Sequence, residues 1–210
     1  MTSRKLTLDD IADARAYERE RDSFRAAIAE LKHRRRVALG TIVTVVFEYR
    51  DTVRFQVQEM ARVERLISDA EIQTELDTYN VLVPEAGQLC VSLFIELTSD
   101  EQMREWLPRL VGIERALVVR LHDGTEVRAV PEEEHAKQLT RADVTSAVHY
   151  LRFELTPAQV EVLAEGPAAL VIDHPAYREC VELAESTVAE LLTDLRDGAD
   201  EALVGGRRRH

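Results

Sequence analysis

The sequence predicts an α+β fold: a largely antiparallel sheet of about five to six strands with helices packed on it. Three observations predict it. Runs rich in β-branched and aromatic residues at 41–49, 89–97 and 144–155 read as strands. His122-Asp123-Gly124 sits between two apolar runs, 115–121 and 125–130, and reads as a hairpin turn. Other stretches space their apolar residues at three and four, as helices do, without the strict strand–helix alternation of a parallel sheet. A chain of 210 residues can bury a core without staples, so one domain is expected over 1–176. Residues 177–210 then form a C-terminal helix and an Arg-rich tail.

The elements follow in order. Thr7 with Asp10 has the form of a capping box, so a first helix is expected over about 8–16. Phe24, Ala27, Ile28 and Leu31 mark a second helix from about 22 to 36, ending in the cationic run His33-Arg34-Arg35-Arg36, which suits a helix C-terminus. Gly40 breaks it. Strand 41–49 feeds a central helix capped by Asp51 or Thr52 and running to about 68. A short helix over 71–78 and a loop marked by Pro84 and Gly87 come next. Strand 89–97 precedes a helix that Ser99 and Gln102 open and Pro108 weakens near its end. After the hairpin, Pro131 begins a solvated acidic stretch that includes His135. Strand 144–155 leads to a helix framed by Thr156-Pro157 and Gly166. Strand 167–172 ends at Asp173-His174-Pro175. A last helix, 177–195, carries Val181, Ala184, Val188, Leu191 and Leu195, a stripe that packs on the sheet or on a second copy as a homodimer.

Composition excludes several functions. A formal charge of −12 argues against nucleic-acid or anionic-membrane binding. Cys90 and Cys180 lie far apart, so a disulfide framework or cysteine metal site is not expected. With no apolar leader and no membrane-length apolar run, the expected location is the cytoplasm. HExxH, GxGxxG, Walker and GxSxG motifs are absent.

Three places carry polar groups beyond what a core needs. On the central helix Arg54, Gln58 and Arg62 share a stripe, with Glu59 at its edge. Glu48 stands at the preceding corner. If the helix folds back over its strand, Glu48 and Glu59 meet as acid and base or as metal ligands; otherwise Glu59 and Arg62 are an ordinary helical ion pair. In strand 144–155, alternation puts His149 on the face of Leu151 and Phe153, as a hydrogen-bonded core residue, a proton carrier or a ligand. Arg152 and Glu154 share the other face. His174 lies in an Asp-His-Pro turn at a strand end. Glu48, Glu59, His149 and His174 make a mixed set suited to iron, manganese or zinc.

These stretches also carry a resemblance. KHRRRVALG at 32–40, FEYRDTVRFQVQEMARVER at 47–65, ELDTYN at 75–80, LVGIE at 110–114, TSAVHYLRFELT at 145–156 and IDHPAY at 172–177 together resemble the bacterial family DUF3501 over about 5–177. The family has no assigned activity. The resemblance implies genes that often lie beside those of rubrerythrin-like and iron–sulfur oxidoreductase proteins, and by that association a role near redox stress or iron metabolism. Two functions are therefore expected. One is a polar pocket for a small anionic ligand or a metal, with Arg54, Gln58, Arg62 and Arg152 holding the ligand and Glu48, Glu59 and His149 doing acid–base work. The other is a non-catalytic accessory protein that docks on an oxidoreductase.

Overall fold

The computed structural model describes residues 4–132 and 143–196. His135 and Arg207, Arg208 and Arg209 lie outside them. The described residues form an α+β fold of six α-helices and two antiparallel sheets. After an irregular arm, the elements are α1 (Ala14–Arg35), β1 (Arg36–Leu39), β2 (Val43–Phe47), α2 (Arg50–Glu64) and α3 (Asp69–Tyr79). β3 (Gln88–Ile95), α4 (Asp100–Arg109), β4 (Leu117–Arg120), β5 (Glu126–Arg128) and β6 (Val130–Pro131) follow. β7 (Val148–Glu154), α5 (Pro157–Glu165), β8 (Ala169–His174), β9 (Tyr177–Glu182) and α6 (Glu185–Leu195) complete the chain.

The expected strands divide between two sheets. One has the order β1-β2-β3-β7-β6, the other β5-β4-β8-β9. One face of each contributes to a shared core: Val45, Phe47, Val91, Leu93, Leu151 and Phe153 from the first, Leu117, Val119, Leu170 and Ile172 from the second. Leu163 of α5 and Leu191 and Leu195 of α6 close it. Two smaller clusters join α1, α2 and α3, and Tyr150 of β7 packs against one of them.

Three expectations are corrected. The Thr7–Asp10 box does form, but it closes only a 3₁₀ turn, Leu8–Asp10. Asp13 caps the first real helix, accepting from the amides of Arg15 and Ala16, and a single helix runs from there to Arg35. Second, residues 36–39 are a strand, not a helix end. Gly40, at φ +68°, turns them back onto β2 with Val37 paired to Val45. The third concerns residues 177–182, which form β9 and pair with β8; the last helix starts only at Glu185. Residues 177–195 thus belong to the main core. Tyr177 supplies a further tie: its hydroxyl donates to the Leu39 carbonyl at 2.6 Å and accepts from the Thr41 amide at 3.1 Å.

Candidate functional site

The central helix starts and stops earlier than its periodicity implies. Arg50 opens it, and Thr52 Oγ1 accepts from the Tyr49 amide. It ends at Arg65, whose φ of 58° is the single positive value of a non-glycine among the described residues. Ser68 then caps α3 through the Glu71 amide.

Arg54 and Gln58 do share a stripe, but they bind main-chain atoms of the arm, with the Glu20 carboxylate a further partner of Arg54 at 3.7 Å. Residues 4–12, with the 3₁₀ turn Leu8–Asp10 among them, run along α2 before α1 begins. Arg50 Nε donates to the Arg4 carbonyl at 3.0 Å, and its guanidinium meets Asp10 at 2.6 Å. One turn on, Arg54 Nε donates to the Asp10 carbonyl at 2.8 Å and the guanidinium lies 5.0 Å above the Phe24 ring. Gln58 is buried. Its carbonyl accepts from the Ala12 amide at 3.0 Å and its amide donates to the Ala12 carbonyl at 2.9 Å. Just after α3, the side-chain amide of Asn80 makes the same two-way bond with Leu6, at 2.7 and 2.9 Å. The stripe is a clamp on a peptide backbone.

Arg62 and Glu59 serve the α1–α2 contact. Arg62 Nε donates to Glu18 at 3.1 Å, an exposed pair. Glu59 accepts two bonds from Arg21, at 2.8 and 2.9 Å, and one from the Tyr17 hydroxyl at 2.7 Å. The Arg21 bonds, aided by that of Tyr17, hold its carboxyl down at about 2. Burial and the adjacent carboxylate push the Tyr17 phenol well up.

Glu48 faces elsewhere. It is buried between β3 and the first turn of α2, accepting from Thr52 Oγ1 at 2.6 Å and from Ser92 Oγ. It and Glu59 therefore do not form a carboxylate pair: each is saturated by donors from different elements. His149 is a core residue whose Nε2 lies 2.9 Å from Thr145 Oγ1. Burial pushes its pKa down, against the nearby Glu114 carboxylate and a bond to the Ser146 backbone. His174 is buried at the β8–β9 turn, with Nε2 at 3.1 Å from the Val111 carbonyl and Nδ1 accepting the Ala176 amide. Arg152 makes an exposed pair with Glu154 at 3.0 Å. The expected metal set of Glu48, Glu59, His149 and His174 is not assembled, and no group of three or more His, Cys, Asp or Glu suited to a metal occurs among the described residues. Nor do the arginines converge on one pocket with Arg152.

Two features escaped sequence reasoning. One is a buried ion cluster joining α1 to α6. Arg35 is 2% exposed and binds Asp194 through two nitrogens, at 2.7 and 2.9 Å, and Glu190 at 3.0 Å. It lies 4.8 Å from the Tyr49 ring centre. Burial works against this cation, and the two carboxylates more than offset it. The signal was present as Glu190 and Asp194 one turn apart, but their partner is about 160 residues away. The other is a cleft of about 420 Å³ between the arm, α1 and the α2–α3 turn. Leu8, Ile11, Ala61, Leu66 and Ile72 line it, and Gln58 and Arg62 reach its wall. On its lip Ile67 is 86% exposed, and Val63, four residues earlier in the chain, is 67% exposed. No helix among the described residues is long and apolar enough to cross a membrane.

A crystal structure of a novel protein of unknown function from Burkholderia pseudomallei K96243 is similar, with 37% identity and a TM-score of 0.84 over 91% of this chain and 99% of that one. No curated protein matches. The family described as "Protein of unknown function (DUF3501)" matches residues 5–195, beyond the motif-bearing stretch and into α6. The chain belongs to the family DUF3501.

Proposed function

We propose that this chain is a non-catalytic, cytoplasmic accessory protein that docks on another protein through the α2–α3 lip. One observation carries the reading. The polar side chains of α2 that suggested chemistry are engaged in internal bonds, while two large aliphatic side chains, Val63 and Ile67, stand in water, Ile67 at an apolar cleft. Isolated exposed aliphatics are ordinary; two of them one helical turn apart in sequence, one lining a concavity, suit protein recognition. The partner would seat an aliphatic side chain in the cleft. Its class follows from the family resemblance: an oxidoreductase of the rubrerythrin or iron–sulfur type.

The test is calorimetric titration of the purified chain with each purified oxidoreductase. Binding is expected with one of them. Val63→Glu and Ile67→Glu, both at exposed positions, should weaken it at least about tenfold, the equivalent of about 1.4 kcal/mol, with unchanged thermal stability. No binding to either class, or equal binding by the variants, overturns the proposal. A second reading rests on the cleft itself, whose volume falls in the range of small-molecule sites. It would take a short aliphatic carboxylate, with Arg62 facing the acid group. Arg62→Ala should then reduce octanoate binding and leave protein docking unchanged.

A further inference from the structure

Glu114, Thr145 and His149 are buried where the two sheets adjoin. Residues 110–116 link α4 to β4 and include a 3₁₀ turn, Ile113–Arg115. The second sheet holds this loop: His174 meets the Val111 carbonyl, and the Asp173 amide donates to the Ala116 carbonyl at 2.9 Å. On its other side the turn packs against β6 and β7 of the first sheet. Glu114 lies in the turn and is 8% exposed. Its Oε2 is buried and has no hydrogen-bond partner among the described residues. Arg115 Nε stands 3.9 Å from Oε1, beyond hydrogen-bond reach, on a side chain left 72% exposed. A buried carboxylate oxygen without a donor is costly.

His149 can supply the donor. The imidazole is 3% exposed, as is Thr145, whose hydroxyl lies 2.9 Å from Nε2. The Ser146 backbone favours the charged ring, so it accepts a ring N–H. Nε2 is then the bare nitrogen of the neutral ring, and the Thr145 hydroxyl donates to it. Glu114 is the one charge that acts on the imidazole among the described residues, and its pull exceeds that of the Ser146 bond. The surrounding elements bring no rival: β6 presents Val130 and Pro131, β3 sets Leu93 opposite, and Tyr150 and Arg152 of β7 alternate to the other face. A proton taken from water goes to Nε2, which turns from acceptor to donor. The Thr145 hydroxyl is a neutral acceptor; the Glu114 oxygen is charged and unoccupied, and charge-assisted bonds are roughly twice as strong. We propose that Glu114 and His149 form a buried acid switch: on protonation the imidazolium leaves Thr145 and donates Nε2–H to the free Glu114 oxygen. The switch moves a tie. In the neutral form β7 is tied to Thr145, whose amide bonds the Leu107 carbonyl of α4 at 3.2 Å. In the protonated form it is tied to the loop that the second sheet holds. The inference is independent of the docking lip, since Val63 and Ile67 take no part.

The test is an NMR titration of the His149 ring in the full chain, from mildly alkaline to mildly acid pH. In the native chain burial keeps the midpoint below the ordinary 6.5, against the pull of Glu114. Glu114→Gln is nearly isosteric and removes the charge. The midpoint should fall by about one pH unit, a tenfold loss of proton affinity. Thr145→Val removes a bond made to the neutral ring alone, so the midpoint should rise, by about half a pH unit. The opposite signs are the signature. If the imidazolium stayed on Thr145, the stronger charge-assisted bond would be lost and Thr145→Val would lower the midpoint. An unmoved or raised midpoint in Glu114→Gln, or an unmoved or lowered one in Thr145→Val, overturns the switch. Circular dichroism checks that both variants are folded. Glu114→Asp, which withdraws the carboxylate by one methylene, and Thr145→Ala replace them if they are not, with the same signs expected.

Discussion

Gln58 decides between a ligand-binding helix and a structural clamp. It is 2% exposed, and both halves of its amide are bonded to Ala12. Gln58→Leu keeps the volume and removes both bonds. Each contributes about 0.5–1.5 kcal/mol net, and the Ala12 amide and carbonyl are left facing an apolar side chain. Fraying of the arm would let water reach those groups and limit the loss, so about 2–3 kcal/mol is expected. For a chain of this size that lowers Tm by roughly 4–12 °C. Gln58→Glu is the sharper probe. It keeps an acceptor for the Ala12 amide but sets a second oxygen against the Ala12 carbonyl. At neutral pH the loss should match that of Gln58→Leu. As pH falls through the carboxyl's own range, above about pH 4, the protonated acid can donate again and part of the stability returns. Urea denaturation of both variants between neutral and mildly acid pH measures this, with amide exchange at Ala12 as a local readout. Losses within about 0.5 kcal/mol for both variants, the size of an ordinary surface change, would refute the clamp.

Three further outcomes are expected. Asp194→Ala strips Arg35 of its two shortest bonds and leaves a cation that is 2% exposed with Glu190 as its remaining carboxylate; removing one partner of a buried pair costs about 3–5 kcal/mol, which Glu190 reduces to about 2–4, and a urea-measured loss under about 1 would contradict the pairing. Glu59, held at about 2 against an ordinary 4.5, has a lowered folded-state pKa, so its contribution is complete above the ordinary value and fades as pH falls toward the folded one; the stability gap between the native chain and Glu59→Gln should narrow across that window, and a constant gap would be inconsistent with the Arg21 and Tyr17 bonds. Cys90 is buried and its thiol is pushed up to about 12 by burial, whereas Cys180 is exposed; maleimide should label the native chain at Cys180 alone, and mass-spectrometric detection of label at Cys90 without denaturant would refute its placement.

Much of the local structure was written in short-range chemistry. Thr156-Pro157, Ser99 and the His122-Asp123-Gly124 turn placed their elements because caps and turns are decided within four residues. The face of β7 that holds His149, Leu151 and Phe153 followed from alternation. Where the reading failed, a neighbour distant in sequence overrode a local signal. Residues 36–39 look like a helix end, yet pairing with β2 makes them a strand. Residues 177–182 carry a helix-compatible stripe, yet the free edge of β8 recruits them.

The same division holds for the candidate site. The sequence by itself determined that Arg54 and Gln58 share a helix stripe, that His149 faces the core, that the chain is acidic, and that it resembles its family. Only the tertiary structure decided what the stripe grips. Its partners are the carbonyl of Asp10 and the amide and carbonyl of Ala12, 44 and 46 residues away. Main-chain groups are alike at every position, so nothing in a sequence marks the ones that will be bound. Glu48 and Glu59 were left apart for a related reason: hydroxyls and a guanidinium nearer to each satisfied them first.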